Sequence, residues 1–391
     1  MLNFKNNAVP LTLGVEMELQ VLDQDTLQLA PKAHEIMLML NNEKLTKEMF
    51  RSTIEIITGI CSNVQEVSED LRETVNLVCG AGLQLGLRFS GTGTNPEGQY
   101  TDRIVSPSER YSELLDRNQW LIKRMAVYGL HIHIGMRSGE ECIRFYQFFM
   151  RFVPHFIILS GSSPFWRGMD TGLNASRPTV YEALPTAGLP YLANDWNDFN
   201  RVYDAMLTTK SIHSMKDIWW DIRPSPGFGT LELRMCDGPA TMVELEAIVA
   251  FAHLLSHWFD KNGQEYFTRE QPVPERWVLR ENKWRAIRHG TEADIIDNGT
   301  LVNIPFKNEM EKWVDILTPL STQLGYQNHL ETLMDIVYKG NSSSRQRRVM
   351  TLHNALKKIG PENAFDAHYN LKKVSEHNVA EFEKGSPFWS D

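Results

Sequence analysis

The sequence predicts an α+β protein in which helices form the bulk and short strands carry the chemistry. Two patterns predict it. Apolar residues recur at helical spacing along several long segments, and five short segments before residue 240 alternate apolar and polar residues with a period of two. The composition fits such a core: of 391 residues, 42% are hydrophobic and 23% charged, which is the make-up of a globular chain, not a disordered one.

Taken in order, Val15-Glu16-Met17-Glu18-Leu19 puts two carboxylates on one strand face and three apolar side chains on the other. Thr53-Ile54-Glu55-Ile56 is a weaker instance. A helix is predicted over Ser112 to Tyr128, stopped by Gly129, and it leads into Leu130-His131-Ile132-His133-Ile134, where two imidazoles share a face. A second helix spans Glu140 to Phe152 and stops before Pro154. Trp219-Trp220-Asp221-Ile222-Arg223 and Leu231-Glu232-Leu233-Arg234-Met235 alternate again, now with acid and guanidinium together. Thr241 and Glu244 have the spacing of a capping box, which starts a helix over Met242 to Phe259. From about Lys307 the pattern is helical, with punctuation at Gly325, Gly340 to Ser344 and Gly360-Pro361. The expected organisation is a core over residues 1–300 with a helical region, 301–391, packed on it as one domain.

The formal net charge of −9 argues against a general polyanion binder, so nucleic acid is not an expected partner. The four cysteines, Cys61, Cys79, Cys142 and Cys236, are never closer than 18 positions, which suits neither a CxxC knuckle nor a disulfide framework. A reducing cytoplasm is the expected location. Met1 to Pro10 has no apolar signal-like run, and the most apolar stretch, Phe145 to Leu159, is cut by Arg151, Pro154 and His155, so no membrane association is expected.

If the alternating strands share one sheet, one face is apolar and the other is lined by Glu, His and Arg. Glu16 and Glu18 would repel on a bare strand, whereas a divalent cation converts that repulsion into attraction. With carboxylates outnumbering imidazoles and no cysteine among them, hard oxygen donors favour Mg2+ or Mn2+ over Zn2+. No Gly-Lys dipeptide exists for a Walker A loop, and Gly91-Thr92-Gly93-Thr94-Asn95-Pro96 has proline where a dinucleotide fingerprint needs glycine. Any nucleotide would bind through metal, arginine and sheet face.

These strands, with Gly129 to Gly135, Ser162-Ser163-Pro164-Phe165-Trp166, Leu184 to Pro190, Trp219 to Pro226, Gly229 to Arg234 and Arg280-Glu281-Asn282-Lys283-Trp284-Arg285, resemble the glutamate-cysteine ligase type 2 family. This group of YbdK-like carboxylate-amine ligases belongs to the glutamine synthetase-like superfamily. The matching segments run in order from about residue 12 to 290. The resemblance implies a curved, mostly antiparallel sheet of about six strands backed by helices. It also implies ATP-dependent joining of a carboxylate to an amine, with glutamate and cysteine as one candidate pair, and a homodimer. Glu16, Glu18 and Glu55 fall at its metal-binding carboxylates, His131 and Glu232 complete the cation cluster, and Arg234 faces the transferred phosphate. Glu48 matches a further acidic ligand. Family members often carry a third glutamate where this chain has Met17, a residue that alternation points to the core.

A carboxylate must be activated before an amine can attack it, so the implied chemistry is transfer of the γ-phosphoryl of ATP to give an acyl phosphate. No protein nucleophile is needed. His133 reads as a second ligand, a substrate contact, a base for the amine or a structural histidine. Asp221 and Arg223 would grip an amino acid's ammonium and carboxylate, or pair with each other, and Arg177 is a further carboxylate partner. Arg280, Lys283, Arg285, Arg288 and His289 form a basic run, of which Arg285 and Arg288 are the ATP candidates and a solvated face the alternative. Replacing Glu16 or Glu232 by Gln is expected to stop turnover at little cost in stability. Two rival readings remain: a non-catalytic nucleotide- or metal-binding member of the fold, and a metal hydrolase, which begins with an HxH strand but requires a parallel barrel.

Overall fold

Alternation along the strands builds the two faces of the sheet. The computed structural model describes residues 2–99, 104–269, 275–356 and 371–389. The main sheet has seven strands: β1 (Leu13–Asp23), β2 (Leu45–Lys47), β3 (Thr53–Ile57), β4 (Leu87–Ser90), β5 (Gly129–Gly135), β6 (Ile222–Ser225) and β7 (Thr230–Asp237). Their order is β6-β7-β5-β1-β3-β2, β4 pairs with the far end of β1, and each neighbouring pair is antiparallel. An antiparallel sheet of this order is not a parallel barrel, which removes the hydrolase reading.

Val15, Met17, Leu19, Ile54, Ile56, Leu130, Ile132, Ile134, Leu231 and Leu233 share the rear face and are at most 1% exposed. Burying each such side chain stabilises the fold by roughly 1.5–3 kcal/mol. Helices Val64–Gln84, Gly139–Met150, Val153–Ser160 and Met242–Arg269 pack against the sheet, and one continuous apolar cluster joins them to it. Met242–Arg269 contains the stretch Met242–Gly263, long and apolar enough to cross a membrane, but 78% of its most apolar window is buried inside the protein. It is the core helix behind the sheet. Thr241 caps it: its hydroxyl accepts from the Glu244 amide at 3.3 Å.

Several elements differ from their expected bounds. The helix expected over Ser112 to Tyr128 is two pieces, Glu109–Asn118 and Trp120–Lys123, because Gln119 between them adopts φ 48°. Residues 124–128 leave the helix, and the Tyr128 amide donates to the Gly93 carbonyl at 2.9 Å, a tertiary contact that the local pattern does not register. The helix Gly139–Met150 stops before Pro154 as expected, and Pro154 itself sits in the first turn of a further helix, Val153–Ser160, where its missing N–H costs nothing. The helix after Thr241 continues past Phe259 to Arg269. The segment Trp219 to Arg223 is split at Asp221: Trp219–Trp220 pairs in parallel with Ala187–Gly188, and only Ile222 onward joins the main sheet.

The C-terminal helices Phe306–Leu324, Gln327–Lys339, Ser342–Leu356 and Lys372–Lys384 follow the periodic pattern, with Gly325 at φ 75° closing the first. Ser342 to Ser344 are already helical, so the break is confined to Gly340 and Asn341, and Gly360-Pro361 lies outside the described residues. Phe306, Trp313, Leu330, Leu333 and Phe382 belong to the same apolar cluster as the sheet. Arg345, 1% exposed, bonds Glu244 of the core helix at 2.9 Å and Glu381 of the last helix at 2.6 Å.

Candidate active site

Strand register brings the polar residues together on the front face. Glu16 stands opposite His131 across β1 and β5, and Glu18 opposite Glu55 across β1 and β3. His133 stands opposite Glu232, and Glu232 opposite Arg223, across β5, β7 and β6. Between Leu233 and Cys236 the register of β7 on β5 shifts, so that Arg234 and Met235 together face the single residue His131. A bulge of this kind re-aims a side chain. Here Arg234 Nη1 donates to Glu232 Oε1 and comes within 3.5 Å of His131 Nδ1.

Hydrogen bonds join Glu16, His131, His133, Glu232, Arg223 and Arg234 into one network, beside which Glu18 and Glu55 bond separately. Glu16 Oε2 meets His131 Nδ1 at 2.9 Å, and Glu16 Oε1 meets His133 Nε2 at 3.2 Å. The other nitrogen of His133 bonds Thr230 Oγ1 at 2.8 Å. Glu18 accepts from the Gly129 amide, and Glu55 from the Thr46 hydroxyl. Glu232, 1% exposed, also accepts from Arg223 Nη2 at 2.6 Å. Gly129 lets the Arg177 guanidinium pack close beside Glu18, since a Cβ there would come within 2.2 Å of Arg177 Nη2 and displace it.

Electrostatics divide the carboxylates in two. Burial pushes Glu18 up to about 7, with the facing Glu55 adding to the effect. Burial and Glu18 raise Glu48 to about 7, and burial with the charges of Glu48 and Glu16 holds Glu55 well above its ordinary value. Burial also acts on Glu16, but the hydrogen bonds from His131 and His133 outweigh it and leave that carboxyl well below the usual range. Glu232 is lowered despite its burial by Arg223, Arg234 and His133. Burial and Arg234 lower His131 to about 4, so its ring is neutral near pH 7. For His133, burial is outweighed by Glu232 and Glu16, which raise it.

Burial first, and neighbouring carboxylates second, raise these three carboxyls, and a bound cation would offset both costs. Ligand atoms of Glu16, His131 and Glu232 lie within 4.8 Å of one another, as do those of Glu18, Glu55 and His131. An octahedral Mg2+ places opposed oxygens about 4.2 Å apart, so either group would close on the ion with small adjustments. His131, common to both groups, keeps a buried Nε2 without a hydrogen-bond partner. These donors fit Mg2+ or Mn2+.

The remaining candidates separate. Glu48, half-buried just after β2, lies near enough for the charges of Glu18 and Glu16 to act on it, but it is in neither of the two ligand groups and accepts from the Met49 amide at 3.1 Å. Arg177 is buried at the end of β5, where its charge acts on Glu18. Asp221 and Arg223 do not pair with each other: Arg223 bonds Glu232, while Asp221 takes Lys283 Nζ at 2.5 Å and the Tyr181 hydroxyl. Lys283 is turned inward, 3% exposed, on helix Arg276–His289. Arg285 bonds Glu281 at 2.9 Å and Asn303 at 2.8 Å, and Arg288 donates to the Gly172 carbonyl at 2.5 Å, so neither guanidinium joins the carboxylate network. Thr46, Thr230 and Tyr181 also contribute, through hydroxyls that no strand or helix pattern distinguishes until their partners are known.

An antiparallel sheet carrying a cation cage and an arginine on one face, with helices behind, is a fold with solved counterparts. The structure resembles the glutamate–cysteine ligase of Francisella tularensis in complex with AMP, with a TM-score of 0.64 at 12% identity over 97% of this chain and 95% of that one. At that identity the likeness is one of fold. In sequence, the chain is 41% identical over 330 residues to a protein of Bdellovibrio bacteriovorus named "Putative glutamate--cysteine ligase 2", covering 83% of this chain and 86% of the relative. It is 38% identical over 355 residues to a protein of the same name from Thermobifida fusca, covering 89% and 88%. The model of glutamate-cysteine ligase family 2 (GCS2) matches residues 12–369. The chain belongs to that family.

Proposed function

We propose that this protein is an ATP-dependent carboxylate-amine ligase that forms an amide through an acyl phosphate, and that glutamate and cysteine are the first acid and amine to test. The observation that carries the reading is the pair of cation-sized groups sharing His131, with Arg234 brought against them by the bulge in β7. The family match and the names of the relatives support the substrate class.

Triphosphate and carboxylate are both anionic, so the reaction is chiefly a problem of positioning and charge neutralisation. Glu16, Glu18, Glu55, His131 and Glu232 would hold the ions. Bound Mg2+ or Mn2+ supplies the positive charge that draws the phosphate oxygens in and offsets charge as the phosphoryl moves. Arg234 would bind the phosphoryl oxygens, its fork held in place by Glu232. Glu232 is spanned by Arg223 and Arg234, so it stays ionised at neutral pH and keeps both guanidiniums charged beside the cage. His133, tied to Thr230 and Glu16, orients Glu16. Arg177, whose charge acts on Glu18, would take an amino-acid carboxylate beside it.

The test is ADP release with Mg2+ or Mn2+ across a panel of acids and amines, together with hydroxylamine trapping. Hydroxamate that needs ATP, metal and acid, with ADP as the other product, supports the acyl phosphate. AMP and pyrophosphate as products would replace it with adenylation, and ATP binding without product from the whole panel would favour a non-catalytic binder.

A further inference from the structure

A bulge removes ladder hydrogen bonds, so the backbone groups of its extra residue need partners from elsewhere. Arg234 finds both outside the β5 ladder: its N–H carries the β6–β7 register one residue past Ile222 opposite Leu233, and its carbonyl turns to a side chain. Its N–H donates to the Asp221 carbonyl at 2.7 Å, and its carbonyl accepts from Arg177 Nη1 at 3.4 Å. Asp221 is fully buried in the break between Trp219–Trp220 and β6, and its own N–H donates to the Gly188 carbonyl at 2.9 Å. One carboxylate oxygen of Asp221 takes the Tyr181 hydroxyl and the other takes Lys283 Nζ. Lys283 also pairs with Glu182, and the Tyr181 ring lies 5.7 Å from Lys283 Nζ and 5.1 Å from the Arg177 guanidinium. The peptide of Arg234 is thus braced by a buried cluster in which Asp221, Tyr181, Arg177 and Lys283 come from segments outside the β5–β7 pairing.

We propose that Lys283 is a positioning residue for Arg234: by neutralising and holding buried Asp221, it fixes the carbonyl that anchors the bulge from which Arg234 projects. The proposal rests on the ligase reading for its kinetic consequence, though not for its structural one. Removing the ammonium leaves Asp221 as a buried carboxylate with one partner gone, a state that relaxes by moving the aspartate or admitting water. Either displaces its carbonyl, and a shift of about 1 Å at a catalytic group costs up to about 100-fold in rate. This role differs from the phosphate contact that the basic run containing Lys283 suggests, because a lysine spent on Asp221 and Glu182 inside the protein has no ammonium face for a nucleotide.

The experiment compares full-length Lys283→Met and Tyr181→Phe with wild type. It measures kcat and KM for ATP by metal-dependent ADP release, Mg·ATP affinity by calorimetry, and the position of Arg234 by crystallography. In Lys283→Met, kcat is expected to fall between about 10- and 100-fold while KM for ATP and Mg·ATP affinity change by less than about threefold. Tyr181→Phe, which loses only a hydroxyl, should move in the same direction by less, and it decides the matter if Lys283→Met does not fold. The double variant Lys283→Met, Arg234→Lys should be about as slow as Arg234→Lys alone, since both act through one group. Weakened Mg·ATP binding with unchanged kcat, or losses that multiply in the double variant, would overturn the proposal in favour of a direct phosphate contact or a general structural role. If wild type makes no ADP with any acid, the ligase reading falls separately. The crystal structures then decide: Arg234 displaced from the bulge supports the positioning role, and Arg234 unmoved in both variants refutes it.

Discussion

Glu18 on β1 and Glu55 on β3 stand directly opposite each other, two carboxylates that the fold pushes above their ordinary range and sets beside one imidazole. Like charges so paired destabilise a sheet by roughly 0.2–1 kcal/mol unless a cation lies between them. Glu55→Gln imitates the protonated carboxyl. In EDTA at pH 8 it should therefore raise stability by about that amount, and it should lose the stabilisation that Mg2+ gives wild type. Urea denaturation with and without Mg2+ measures both, and an unchanged Mg2+ response in the variant would count against a site at this pair.

The pH dependence has a defined sign. Glu18 and Glu48 have raised values of about 7 in the fold, against about 4.3 when unfolded, so the metal-free protein binds more protons folded than unfolded in that window. Their contribution to stability is full below about pH 4.3 and is lost as pH rises through about 7. Mg2+ competes for the Glu18 oxygens, so its affinity should climb from pH 6 to pH 8 and its binding should release protons. Calorimetry in buffers of different ionisation enthalpy counts them; affinity that is flat across this range would contradict the assignment.

Glu232→Gln should be costly in stability as well as in rate, contrary to the expectation drawn from the strand pattern. Its carboxylate is buried between Arg223 and Arg234, and neutralising it leaves two guanidiniums around an amide. Loss of one side of such a buried network costs about 3–5 kcal/mol. The urea midpoint reads this directly, and a fall of less than about 1 kcal/mol would mean that the arginines find other anions.

Arg234→Lys keeps the charge and loses the planar fork, so turnover should fall about tenfold or more while Mg·ATP affinity falls less. Steady-state kinetics alongside calorimetry separate the two. Equal losses would make Arg234 an anchor for bound ATP and not a group matched to the moving phosphoryl.

Much of the front face was legible because strand alternation is local: Glu16 and Glu18, His131 and His133, and Glu232 each share a face with their sequence neighbours whatever the sheet's order. Arg234 was legible as a residue but not in its placement, since the bulge that sets it against His131 arises from pairing with β5. That Asp221 and Arg223 do not pair with each other was not legible, because the alternation they share is broken by a parallel pairing of Trp219–Trp220 with a distant segment. Arg285 and Arg288 share a sequence run with Lys283, yet helix Arg276–His289 turns Lys283 inward and leaves the other two to partners outside the cage.

By itself, then, the sequence determined which side chains carry charge on which strand face, where two of the core helices and the C-terminal helices run, and that hard cations suit the donors. Those properties follow from a two-residue or 3.6-residue repeat and from ligand chemistry, both written within a few residues of each other. Only the tertiary structure decided that Glu16 faces His131 and Glu18 faces Glu55, that Glu232 is held between two arginines, and that Lys283 reaches Asp221. Strand order, register and bulges are set by how the apolar rear face packs on helices far away in the chain, and no local repeat encodes that choice.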